Sequence, residues 1–115
     1  MIKRISKSKM IILAGALLFI SAVAGAVEEY NLVIKDHRFE PSERVIPQGQ
    51  KVKIRIDNQD ATPEEFESHE LNREKVIGGK SHAVIFVGPL KPGKYKFFGE
   101  FHQDTAQGLI VVKES

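Results

Sequence analysis

From residue 27 onward, apolar and polar positions alternate along most of the chain. Tyr30, Leu32 and Ile34 are interleaved with Asn31 and Lys35. Val52, Ile54 and Ile56 are interleaved with Lys51, Lys53, Arg55 and Asp57. A period of two puts one set of side chains on a buried face and the other in water, the signature of β-strands covered on one side. Residues 44–46, 81–87, 94–98 and 109–113 carry further strand-like runs. Turn chemistry separates them: Pro47-Gln48-Gly49, Asn58-Gln59-Asp60, Gly78-Gly79 and the stretch from Pro89 to Gly93. Short strands at this spacing predict an all-β sandwich or Greek-key barrel of about six to eight strands.

The N-terminus follows a different pattern. Lys3, Arg4, Lys7 and Lys9 precede an uncharged, largely apolar run from Met10 to Val27, which contains Ala24-Gly25-Ala26. A basic start, an apolar middle and a small-x-small motif predict a secretory signal peptide over residues 1–26 and a single exported domain over residues 27–115. The apolar run also approaches the roughly 17 to 25 residues needed to span a bilayer, so an uncleaved membrane anchor is the alternative. Both place the domain outside the cytoplasm. The 115-residue chain has 17 basic and 15 acidic side chains, but four of the basic ones and none of the acidic ones lie in residues 1–26, so the 89 residues that follow carry a net charge of −2. That balance argues against a nucleic-acid partner.

There is no cysteine, and the two methionines, Met1 and Met10, both precede the domain. A sulfur-free domain has no disulfide, thiol nucleophile or zinc-thiolate site, and no thioether for copper(I). A domain of about 90 residues buries somewhat over 60% of its unfolded surface, enough for modest stability without cross-links.

Two segments carry candidate chemistry. The first, residues 63–76, holds five glutamates with only Phe66, Leu71 and Val76 as bulky apolar residues. Thr62-Pro63-Glu64-Glu65 fits the capping box of a short solvated helix. Read instead as an extended stretch, it sends Phe66 into the core and projects Glu65 and Glu67 together from the opposite face, half of a metal site. The second is Gly99-Glu100-Phe101-His102. Continued strand parity from Phe98 places Glu100 and His102 on one side, where a carboxylate and an imidazole can chelate. The other histidines, His37, His69 and His82, have weaker contexts. No HExxH, phosphate-binding loop or GxSxG motif is present, so hydrolase chemistry has no support.

A resemblance spans nearly the whole exported part. Phe39-Glu40-Pro41-Ser42, then Val45-Ile46-Pro47-Gln48-Gly49, the strand from Val52 to Asn58, the run from Leu90 to Phe97, and Gly108-Leu109-Ile110-Val111-Val112 together resemble the cupredoxin fold. In blue-copper members, the tyrosine-bearing strand leads into a loop supplying cysteine, histidine and methionine. On that pattern His102 matches the loop histidine, Gly99 stands at the cysteine position and Ala106 at the methionine position. Without thiolate or thioether, reversible blue-copper electron transfer is not expected. Glu65-Phe66-Glu67 and the following Asn72-Arg73-Glu74-Lys75-Val76-Ile77 are similar to the cupredoxin-like domain of EfeO-type and FtrB-type periplasmic proteins of ferrous-iron uptake. The resemblance implies iron or copper(II) as the bound metal. It also implies an inner-membrane iron permease and a periplasmic electron-transfer or iron-binding protein as partners, and ferroxidase-like oxidation of iron(II) as an activity to be tested.

The expected metal site is therefore Glu65, Glu67, Glu100 and His102, with Glu64 the replacement if the register differs by one. Carboxylates and an imidazole suit iron or copper(II), and carboxylates stabilise iron(III) over iron(II). The alternative is a structural or partner-binding β-sandwich whose acids face water.

Overall fold

The structure, a computed structural model, describes residues 27–114. The expected signal peptide over residues 1–26 lies outside the described residues. Nine strands form among those described: β1 (Glu29–Lys35), β2 (Arg38–Glu40), β3 (Glu43–Pro47), β4 (Val52–Asn58), β5 (Glu64–Ser68), β6 (Arg73–Ile77), β7 (His82–Val87), β8 (Gly93–Gly99) and β9 (Gln107–Lys113). One turn of 3₁₀ helix, Glu100–His102, follows β8. The strands make two sheets, one of four in the order β2-β1-β4-β7 and one of five in the order β3-β9-β8-β5-β6. β1 runs parallel to β4 and β3 parallel to β9, while the remaining pairs are antiparallel. The chain is the expected all-β sandwich, its inner faces closing one core.

The alternating positions fill that core. Leu32 and Ile34 from β1, Val52, Ile54 and Ile56 from β4, Ile85 and Val87 from β7, and Ile110 and Val112 from β9 are all buried. Toward one end the core becomes aromatic. The Phe66 and Phe97 rings stack with centroids 4.9 Å apart, and Phe39 meets Phe97 edge-on at 4.9 Å.

The acidic segment forms a hairpin, not a helix. Phe66 is fully buried against that aromatic group, and β5 pairs with β6 on one side and β8 on the other. Burial of Phe66 with period-two neighbours outweighs the capping residues, because a short solvated helix would have left this ring little core to enter. At the turn, the Ser68 hydroxyl donates to the Lys96 carbonyl and accepts from the Leu71 N–H, tying the hairpin to β8.

Candidate functional site

Alternation on β5 settles where each carboxylate points. Glu64, Phe66 and Ser68 face inward and are buried, whereas Glu65 and Glu67 face outward and are half-buried. On β8 the inward set is Phe97 and Gly99, and Gly99 is the register partner of Phe66. Glu64 therefore passes over the bare backbone of Gly99. A Cβ built on Gly99 would lie 2.6 Å from the Glu64 carboxyl carbon and 2.7 Å from the Ala106 Cβ. The carboxylate of Glu64 and the methyl of Ala106 thus fill the space that any side chain at residue 99 would need.

Glu64 is 1% exposed, and its carboxylate is fully hydrogen-bonded. Oε1 accepts the backbone N–H groups of Glu65, at 2.9 Å, and Phe101, at 2.8 Å. Oε2 lies 2.7 Å from Nδ1 of His102. The contact is a hydrogen bond in which Nδ1 donates to the carboxylate when the ring proton sits on Nδ1. The 3₁₀ turn makes the meeting geometrically feasible. It breaks the strand parity that would have kept Glu100 and His102 on one side, leaving Glu100 exposed while His102 folds back over the sandwich end. The carbonyl of His102 accepts the N–H of Ala106 at 2.9 Å, and the N–H of Gly99 donates to the Ala106 carbonyl at 2.8 Å, closing the loop.

The four side chains expected to converge are distributed over two places. Glu65 and Glu67 stand on the outer face with Glu74 of β6, the three offering oxygens within 4.8 Å of one another. Desolvation first, then the negative charges of Glu74 and Glu67 and a weaker one from Glu100, raise the Glu65 carboxyl above its ordinary value. His102 is on the inner side, with Glu64 as its partner.

His37 and Asp60 also belong to this rim. The His37 ring stacks on His102 with centroids 3.6 Å apart and planes 13° from parallel. The Asp60 carboxylate accepts the backbone N–H groups of Asp36, at 2.8 Å, and His37, at 3.0 Å. The His37 N–H is the largest cause of the lowered Asp60 carboxyl pKa, joined by the Asp36 N–H and the nearby His37 and Lys80 against an opposing desolvation. Asp60 is positioned by Asn58, whose Oδ1 accepts the Asp60 N–H and whose Nδ2 donates to the carbonyls of Thr62, Ile77 and Gly78. That knot binds the end of β4 to the start of β5 and the end of β6.

A tyrosine-bearing strand leads into a loop whose histidine turns back over the sandwich end, with Gly99 and Ala106 packed beneath. A family model for the cupredoxin-like domain matches residues 9–112. The chain belongs to the cupredoxin-like domain family. An uncharacterized protein of Rickettsia prowazekii (strain Madrid E) is 41% identical over 122 residues, covering 96% of this chain and 98% of the relative. Among solved structures, auracyanin A, a blue copper protein from Chloroflexus aurantiacus, superposes with a TM-score of 0.67 at 16% identity, covering 76% of this chain and all of that one. The metal-binding domain of the Cu(I)-exporting P-type ATPase CopA of Streptococcus pneumoniae D39 superposes with a TM-score of 0.66 at 16% identity, covering 78% and 89%. At such identity these two establish the shared fold. A blue-copper centre does not fit this cupredoxin-like domain: the chain has no cysteine, the described residues hold no sulfur donor, and the room for one at residue 99 is taken by Glu64 and Ala106.

Proposed function

We propose that this cupredoxin-like domain binds a hard or borderline cation, iron or copper(II), outside the cytoplasm, with Glu64 and His102 as its central donors. The observation that carries this reading is the 2.7 Å approach of the buried Glu64 Oε2 to His102 Nδ1. Two donors at that separation share a proton, and a slight spreading accommodates an ion bonded at about 2.0 to 2.2 Å to each. Oxygen and imidazole donors suit these ions, and the carboxylate charge favours iron(III) over iron(II). The outer carboxylates of Glu65, Glu67, Glu74 and Glu100 give this end a negative field that raises the local cation concentration. By resemblance to the EfeO-type and FtrB-type proteins, the domain takes part in periplasmic ferrous-iron uptake, delivering metal to an inner-membrane permease. A periplasmic electron-transfer partner accepts the electron wherever iron(II) is oxidised.

Calorimetry with anaerobic iron(II) and with copper(II) tests this reading. The parent protein is expected to bind one ion, Glu64→Gln and His102→Ala to lose that binding, and Glu67→Ala to weaken it only modestly. Equal, weak binding by all four proteins overturns the proposal. It would favour the second reading, a structural sandwich, for which the fully hydrogen-bonded state of Glu64 already speaks. Stopped-flow oxidation of iron(II) at the buffer rate would mark the protein as a carrier and not a ferroxidase.

A further inference from the structure

His37 occupies an unusual place for a histidine. It joins β1 to β2 in a two-residue turn with Asp36, and both residues are left-handed, with φ of 53° and 58°. Asn-Gly is the usual choice for such a turn, since a bulkier side chain strains this backbone. The strain is held by the rim on both sides. Asp60 accepts the N–H groups of both turn residues, and the Thr105 hydroxyl donates to the His37 carbonyl. Residues kept in sparsely populated backbone regions concentrate at binding sites, where position matters more than local comfort.

The backbone of His37 is pinned, but its ring is held loosely. Nδ1 lies 3.5 Å from Asp60 Oδ2, beyond a well-formed hydrogen bond, and the side chain is 44% exposed. His102, by contrast, is fixed by its 2.7 Å contact with Glu64. Stacked at 3.6 Å, the two rings aim their in-plane lone pairs along nearly parallel planes and not at a common point. Both can bind one ion only if one ring turns, and His37 is the ring free to do so.

We infer that His37 is the second imidazole donor of this site, stacked on His102 as it stands and turning about its side-chain bonds onto a cation held between Glu64 and His102. The inference rests on the preceding reading of Glu64 and His102 as the metal-binding pair. It makes the donor set one carboxylate and two imidazoles, a combination suited to divalent iron, copper and zinc and independent of sulfur. Asp60 then acts as a positioning residue, which fixes the turn that carries the second ring.

Copper(II) is the probe. Pulsed electron paramagnetic resonance of the 1:1 complex counts coordinated imidazoles, and calorimetry gives the affinity. The comparison uses the purified protein, His37→Phe, which keeps a ring able to stack but has no donor, and His37→Asn, which suits the left-handed backbone and removes both features. The expected result is two imidazoles in the parent and one in each variant, with Kd raised roughly tenfold or more. One imidazole in the parent, or two in either folded variant with unchanged Kd, overturns the role of His37 while leaving Glu64 and His102 standing. No copper(II) binding by the parent overturns both. If His37→Phe does not fold, His37→Asn decides alone, and if neither variant folds, the imidazole count in the parent decides.

Discussion

Replacing the Glu64 carboxylate measures what it contributes to the fold. In Glu64→Gln the amide oxygen can keep the N–H groups of Glu65 and Phe101, which now donate at 2.9 and 2.8 Å to a charged acceptor. Hydrogen bonds to ionised groups contribute about 1.5–3 kcal/mol and neutral ones about 0.5–1.5, so each loses about 1 kcal/mol. The amide nitrogen then faces Nδ1 of His102, and that contact survives only as a neutral bond with the ring proton on Nε2. Against a loss of about 2–3 kcal/mol stands the easier burial of a neutral group, leaving a net destabilisation of about 1–2 kcal/mol. In a domain of this size that lowers Tm by about 5–15 °C. Glu64→Leu leaves two N–H groups and a ring nitrogen without partners, at about 1–3 kcal/mol each before the gain from added apolar burial. The net is about 3–5 kcal/mol, a large part of the roughly 5–10 kcal/mol available to a small domain. Urea and thermal unfolding of the three proteins read these values. A Glu64→Leu variant as stable as the parent, or more so, would refute the reasoning, showing the buried charge to be a burden on the fold.

The remaining predictions probe the same end of the sandwich. Gly99→Ala is expected to destabilise by about 1–3 kcal/mol in urea unfolding, because its Cβ would meet the Glu64 carboxyl carbon at 2.6 Å and the Ala106 Cβ at 2.7 Å; an unchanged midpoint would show that the slot yields easily. Glu64→Ala and Ala106→Gly combined with Gly99→Cys remove both obstacles to a thiolate beside His102, so copper(II) should produce an intense visible charge-transfer band that Glu64→Ala with Ala106→Gly lacks. The depressed Asp60 pKa means that its contribution is fully present above the ordinary aspartate value near 3.8 and is lost as pH falls through the lower folded value. The Tm difference between the parent and Asp60→Asn should therefore persist above that value and shrink below it. Glu65 has the opposite sign: its raised pKa means that ionisation disfavours the fold, so Glu74→Gln should raise stability slightly at neutral pH, with the gain fading in acid and in high salt.

Much of this was legible in the sequence, and the portion that was not has a specific cause. Period-two runs located β1, β4, β7, β8 and β9 because each has one buried face, and that face is all such a pattern reports. β2, only Arg38–Glu40, offers too few residues for any period. β6 is an edge strand with Arg73, Glu74, Lys75 and Val76 exposed, so its pattern carries no inward signal. Glu64 shares the face of Phe66, since residues two apart on a strand point the same way, yet from the sequence it stood only as a replacement if the register differed by one. Glu65 and Glu67 drew attention as an outward pair, yet the histidine they were matched with turns inward. Sequence parity carried past Gly99 could not show this, because the 3₁₀ turn at Glu100 ends the strand. His37 was beyond sequence reasoning altogether: its stacking on His102 spans 65 residues and depends on Asp60 seizing the turn between β1 and β2.

Gly99 and Glu64 are best understood as a single feature. With the backbone of residue 99 fixed by its pairing with Phe66 and its hydrogen bond to Ala106, a side chain there and a glutamate at residue 64 exclude each other, since both need the same few cubic ångströms. The end of this sandwich can hold a thiolate rising from β8 or a carboxylate reaching over from β5, but not both. This chain has the carboxylate, seated on two backbone N–H groups and aimed at an imidazole. On the proposed reading, the end takes an ion that prefers oxygen and nitrogen donors in place of one that prefers soft sulfur. The loop is held there without sulfur: the buried acid takes the Phe101 N–H and the His102 ring, and the His37 ring stacks on His102 at 3.6 Å.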